Sequence, residues 1–232
     1  MEKINYARPQ WHEEKFGANA DLGATAETVW EGGGVYPWKE AAESLEVLGV
    51  AGDTSVELRV DGLDANYALQ SANVTTDASD GTTPVALPGT WMRVFRMRVT
   101  SGITTGTITL RVVAGETRAV ITHPNYQTLM AIFTVPLGHF CMLSSYYLSA
   151  PKGKDAIASL FVRPFGEEFQ LKHQITVYES KADHTFGYPM RLGEKSDIDL
   201  RATGSGAGQK VHGGFALHTA AGELLSDSSG VL

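Results

Sequence analysis

Most of the features that announce chemistry are missing from this sequence. It has a single cysteine, Cys141, in 232 residues. That excludes an intramolecular disulfide framework and a cysteine-rich zinc site, and leaves the redox compartment open. It also lacks a basic surplus: 19 Lys and Arg stand against 26 Asp and Glu, for a formal charge of -7. Holding nucleic acid by phosphate neutralisation needs a basic face, so that class is not expected. Long apolar runs are missing as well. The most apolar stretch, "QTLMAIFTVPLGHFCMLSSYYL" (Gln127 to Leu148), is interrupted by Pro136, Gly138 and His139. It falls short of the roughly 18 to 20 apolar residues of a spanning helix. The start, "MEKINYARPQWHEEKFGANADLG", has no apolar h-region of the secretory type and reads as an arm or entry strand. Helical spacing is confined to "KEAAESLE", Lys39 to Glu46.

Short β-branched and aromatic runs are abundant, set between Gly, Pro, Asn and Asp. Expected strands are Ser44–Val50, Ser55–Leu63, Tyr67–Thr76, Trp91–Thr100 and Gly106–Val113. In "SVELRV", Val56, Leu58 and Val60 share one face and Ser55, Glu57 and Arg59 the other, the pattern of a half-buried antiparallel strand. In "WMRVFRMRV", Arg96 and Arg98 fall on one face, which is expected to be wetted or to meet another subunit. After the polar break "AGETRA" the pattern restarts with "YQTLMAIFTV", "HFCMLSSYYLSA", "AIASLFVRPF", "EFQLKHQITVYE" and "DIDLRATG", punctuated by turn residues. The expected fold is all-β, with two β-sandwich or jelly-roll-like modules and an extended N-terminal arm. The expected divisions are an arm and entry segment over 1–43, a first module over 44–114, a second over 119–219, and a flexible tail over 220–232.

Each chemical candidate has a plainer reading. Cys141 and His139 lie two apart on one strand face, so a thiolate and its base could meet. Inside "FCML", however, the cysteine reads as a small buried residue. The seven histidines, including His173, His184 and His218, show no ligand spacing and read as surface or edge residues. "DASDGTT" and "EKSDIDL" are acidic clusters without calcium-loop spacing and read as solvated turns. "GSGAGQK" lacks the G-K-[ST] ending of a phosphate cradle and reads as a hairpin loop. No catalytic residue, cofactor or metal site is expected.

Four stretches resemble, in their order, a family of tailed-bacteriophage virion structural proteins. They are "GVYPWKEAAESLEVLGVAGDTSVELRVDGLDANYAL", "NYQTLMAIFTVPLGHFCML", "LFVRPFGEEFQLKHQ" and "YPMRLGEKSDIDLRA". The likeness spans about Phe16 to Leu217 and centres on the "GLDANY" hairpin and the "QTLMA" to "TVP-x-G" motif. It implies a β-rich, non-enzymatic component of a phage particle. Its partners would be other copies of itself and other virion proteins of the capsid, neck or tail, with no nucleic acid and no membrane span. The aromatic groups Tyr6, Trp11 and Phe16, and Trp30, Tyr36 and Trp38, are candidate interface anchors, with core capping as the equal alternative. Ile132 joins them, because its strand is apolar on both faces and must be covered on both sides, by sheet packing or by another subunit. The alternative function is a receptor- or glycan-binding module of a tail fibre, with "GGGVYPW" and "HTFGYP" as its loops and a host-surface glycan as partner.

Overall fold

The computed structural model describes residues 10–178 and 180–222. Its strands, in chain order, begin with β1 (Gln10–Leu22), β2 (Glu27–Thr28), β3 (Leu45–Leu48), β4 (Glu57–Leu63), β5 (Leu69–Thr75), β6 (Val85–Ala86), β7 (Arg93–Ser101) and β8 (Ile108–Val112). They continue with β9 (Thr117–Ile121), β10 (Ile132–Thr134), β11 (His139–Ser149), β12 (Asp155–Arg163), β13 (Gln170–Tyr178), β14 (Lys181–Leu192), β15 (Asp197–Gly204) and β16 (Gln209–Ala221). The described residues are all-β and contain no helix.

One sandwich is built from both ends of the chain. Its first sheet has the order β1-β16-β11-β14, and its second β10-β15-β12-β13, with β2 added beside β15. Along the chain, β1, β10, β11, β12, β13, β14, β15 and β16 visit the sheets in the order first, second, first, second, second, first, second, first. Two antiparallel sheets wound this way form a jelly roll. Its core packs Leu143, Tyr146 and Leu148 of β11 and Phe215 and Leu217 of β16 against Ala158, Leu160 and Val162 of β12 and Ile198 and Leu200 of β15.

A second, smaller sandwich is inserted between β2 and β10. It faces the sheet β6-β3-β8-β9 against β5-β4-β7. Val47, Leu58, Val60, Met97, Ile108, Leu110 and Ile121 fill its core. The alternation in "SVELRV" holds here: Val56, Leu58 and Val60 are all fully buried.

This topology corrects several sequence expectations. Residues 10–22 are not an arm: β1 is a sheet strand, paired antiparallel with β16 from Gln10↔Ala220 to Leu22↔Gln209. The break at "AGETRA" is not a boundary but the β8–β9 hairpin turn, where Ala114 takes a φ of 51° and Gly115 N–H bonds Val112 O at 2.8 Å. Residues 39–46 are not helical: the chain bends at Glu40 and Ala41, Glu43 bridges Trp91, Leu45 begins β3, and Arg93 holds the Lys39 carbonyl at 2.6 Å. The stretch interrupted at Pro136, Gly138 and His139 is a crossing between sheets: β10 belongs to one and β11 to the other, and the chain passes between them at Gly138 (φ 71°).

The segment around β10 lies between the two cores. Ala131, Phe133 and Val135 point into the jelly-roll core, and Met130 and Ile132 into the core of the inserted sandwich. A strand apolar on both faces is thus covered on both sides by its own chain. Close approach requires glycine at position 17, where an added Cβ would lie 1.9 Å from the Val29 carbonyl oxygen.

Candidate functional site at the seam of the two sandwiches

The seam is organised by two aspartates on β15. That strand reads Asp-Ile-Asp-Leu, and all four side chains are buried because β10 and β12 flank it and the entry segment lies against it. "EKSDIDL" is therefore not a solvated turn at Asp197 and Asp199. Buried carboxylates need full sets of partners, and both have them. Asp197 accepts two bonds from Arg93 of β7, at 3.1 and 3.2 Å, and two from Arg163 of β12, and Thr134 donates a further short bond. Asp199 accepts from Thr28 Oγ1 at 2.9 Å, Trp38 Nε1 at 3.0 Å and Arg201 Nε at 2.8 Å. Burial pushes the Asp199 carboxyl above its ordinary range, against the pull of Arg201, Trp38 and Thr28.

Aromatic rings line this charge cluster. Trp30, Tyr36, Trp38 and Phe169 follow one another at centroid distances of 5.1, 5.0 and 5.3 Å, the first two contacts edge-on. Arg93 sits 5.1 Å over Trp38, Arg163 4.8 Å over Phe169, and Arg201 4.5 Å over Phe161. Planar guanidinium groups suit this stacking between carboxylate and ring. Burial pushes the Tyr36 hydroxyl up to about 12, so it stays neutral. At the outer end, the seam opens into a cleft lined by Glu40, Tyr67, Arg163, Phe165, Glu168 and Lys195, where Lys195 Nζ lies 4.6 Å from the Phe165 ring.

The interface candidates divide accordingly. Tyr6 lies outside the described residues. Trp11 and Phe16 sit on β1: Trp11 is half-buried, edge-on to His139 at 5.2 Å, and Phe16 is exposed. Trp30 and Tyr36 are each 3% exposed and Ile132 is 1% exposed, all within the inserted sandwich's core, with Trp38 packed against it. Trp30, Tyr36 and Ile132 are core residues of the chain and offer no surface, and the half-buried Trp38 packs against them. Arg96 likewise meets Glu13 of β1, at 3.0 Å. Cys141 and His139 do not form a pair: Cys141 Sγ faces Thr219 Oγ1 at 3.1 Å, whereas His139 Nδ1 contacts the Leu137 carbonyl at 2.9 Å.

Sequence reasoning missed Arg93, Arg163, Asp197, Asp199 and Arg201. The available signal was charge inside apolar strands: "DIDL" and "VRP" carry ionisable residues where neighbours on both sides are core formers. Charges so placed must find partners. The arrangement braces two modules and presents a polar, ring-lined cleft at its edge.

No protein-family model matches the chain, and no curated protein matches it. Among solved structures, the Yersinia pseudotuberculosis-derived mitogen aligns with 42% of this chain and 90% of its own, at 12% identity and a TM-score of 0.21. The infectious bursal disease virus Gt strain structure aligns with 95% of this chain and 73% of its own, at 7% identity and a TM-score of 0.24. The VP2 subviral particle of the same virus aligns with 92% and 72%, at 9% identity and a TM-score of 0.22. Scores of this size do not establish a shared fold, so the jelly-roll description rests on strand order alone.

Proposed function

We propose that this chain is a non-enzymatic structural component of a tailed-phage virion, an oligomeric building block or accessory protein on the capsid or on the neck and tail. The observation that carries the reading is the brace at Asp197, which ties the inserted sandwich to the jelly roll through the buried Arg93, with Arg163 of the jelly roll sharing the same carboxylate. A particle component must transmit load between neighbours without internal hinge motion, and charge pairs buried at a seam suit that demand. The order of the "GLDANY" and "QTLMA" to "TVP-x-G" motifs supports the same reading, as does the use of jelly rolls in viral capsids, a fold-level analogy. Copies of the chain and other virion proteins are its partners, and closed symmetry would satisfy the same patch on every copy. Electron cryo-microscopy of purified particles tests this: density for the two-sandwich outline at a repeated position is expected, and its absence from intact particles overturns the reading.

A second reading, a receptor- or glycan-binding module of a tail fibre, is favoured by one feature of "HTFGYP". β14 bulges away from β11 between Thr185 and Met190, and Tyr188 at that bulge is 93% exposed. An exposed ring on a rigid scaffold is a stacking platform for a sugar face. Binding of the assembled oligomer on a carbohydrate array, lost in Tyr188→Ala, is the expected result; an array without hits removes this reading.

A further inference from the structure

The jelly roll is open along one side, where β13 ends one sheet and β14 ends the other. Across that opening His173 of β13 stacks on His184 of β14, with ring centroids 3.8 Å apart and planes inclined by 23°. Tyr146 of β11 backs the pair, its hydroxyl 2.7 Å from His173 Nδ1. Phe186 stands edge-on to both imidazoles, at 5.9 and 4.7 Å. The pair is thus a side-chain contact between two sheets that share no hydrogen-bond ladder here.

The surroundings supply little to stabilise a doubly charged pair. From β11 the facing group is Tyr146, whose phenol burial pushes up to about 12, so that it stays neutral. From β12, Leu160 lies beside His173 in register. Ile175 of β13 and Ala182 of β14 pack against the same core. Lys172, Lys181 and Asp183 flank the pair in sequence but alternate to the exposed strand faces, where Lys181 and Asp183 approach each other at 3.9 Å. Among the described residues, no carboxylate lies within ion-pair distance of either ring; the ion-paired histidine is His12, with Glu14. Burial and then the neighbouring His184 lower the His173 pKa from its ordinary value.

We infer that the His173–His184 stack is an acid-sensitive latch that holds the two sheets together along their β13–β14 side. It is closed while at least one imidazole is neutral and opens when both carry a proton. One charged imidazole can stack on a neutral one, whereas two charged rings at this separation repel. Protonation also makes His173 Nδ1 a donor whichever tautomer the neutral ring holds, so the Tyr146 hydroxyl must then accept. A histidine whose folded pKa is depressed supports the closed state fully above the ordinary value of about 6.5, and that support fades as pH falls through the folded value.

Two measurements on the full chain test the latch. Histidine resonances followed by NMR should show the two rings titrating as a coupled pair, with the second step displaced below the ordinary imidazole value. Amide-exchange protection, corrected for intrinsic rates, should fall at least about tenfold in β13 and β14 between pH 7.5 and 4.5, while the inserted sandwich keeps its protection. In His184→Phe, which keeps a ring in the stack without a titrating proton, the local loss should vanish. If that variant does not fold by near-ultraviolet dichroism, His184→Gln makes the same test. Independent titration of both rings near 6.5, a uniform loss of protection over the chain, or an unchanged local loss in the variant overturns the inference.

Discussion

Arg93 and Asp197, 104 residues apart in sequence, form a two-point ion pair: Nε meets Oδ1 at 3.1 Å and Nη2 meets Oδ2 at 3.2 Å. Both side chains are nearly sealed from solvent, at 2% and 3% exposure. One belongs to the inserted sandwich and the other to the jelly roll, so the pair is the point at which two separately packed cores become one body. Such a pair is no cheap source of stability, since desolvating two ions costs about what their attraction returns. Its value lies in fixing a relative position, because any slip between the modules would leave charges buried and unpaired.

Asp197→Asn should therefore be strongly destabilising. It leaves Arg93 and Arg163 without their shared carboxylate, and breaking a buried pair from one side costs about 3 to 5 kcal/mol. Arg163→Ala should cost less, because Asp197 keeps Arg93 and the Arg163 side chain is 15% exposed. Urea denaturation of the two variants checks the order, and equal midpoints would contradict it.

Ile132→Asp discriminates between an internal and an intermolecular cover for β10. Ile132 is 1% exposed and packs in the core that contains Trp30, Tyr36 and Met130. A carboxylate placed there has no partner, and a buried unpaired charge belongs to the short list of changes costing more than about 4 kcal/mol. The expected result is loss of folded protein by circular dichroism. A folded protein that merely dissociates on size exclusion would show that another subunit provides the cover.

How much of this was legible depended on the distance over which the signal acts. The alternation of Val56, Leu58 and Val60 marks β4 because its period is written in six consecutive residues. The pairing of β1 with β16 joins the two ends of the chain, and nothing local in "QWHEEKFGANADL" names that partner. β14 escaped notice because "FGYP" interrupts its alternation at the bulge opposite Ser144. Asp197 and Asp199 read as solvent-seeking when taken alone; only the distant arginines, Trp38 and Thr28 make their burial tolerable. The double apolarity of β10 was visible, but the identity of its second cover required knowing that the inserted sandwich folds back onto it.

The thiol of Cys141 should be inert in the folded protein. It is fully buried on β11, and burial pushes it up to about 12, against the opposing hydrogen bond with Thr219. Only the thiolate reacts readily with a disulfide reagent. At pH 8, labelling is expected to be silent until denaturant unfolds the jelly roll, with the labelled fraction tracking the unfolding curve. Prompt stoichiometric labelling in native buffer would contradict this environment.

Lys15 links stability to alkaline pH. It lies buried on β1, and its Nζ donates to the Phe95 carbonyl at 2.5 Å. Phe95 is the extra residue where the β4–β7 register slips between Asp61↔Arg96 and Gly62↔Val94, so the lysine serves a carbonyl at a bulge. Burial first, then Arg96, lowers its pKa to about 7, with Glu13 and Asp61 opposing. An unfolded lysine keeps its proton up to about 10.4. Between these values the unfolded chain binds a proton that the folded chain has released, so stability rises with pH across that window and is least below it. Lys15→Met removes the titration and leaves the bulge carbonyl without its donor, at a cost of about 1 to 3 kcal/mol. The gap between wild type and variant should accordingly widen from pH 6 to pH 9 by about 1 to 3 kcal/mol in urea melts. A gap that stays constant or narrows over that range would mean that the buried amine keeps its proton and that Glu13 and Asp61 outweigh its desolvation.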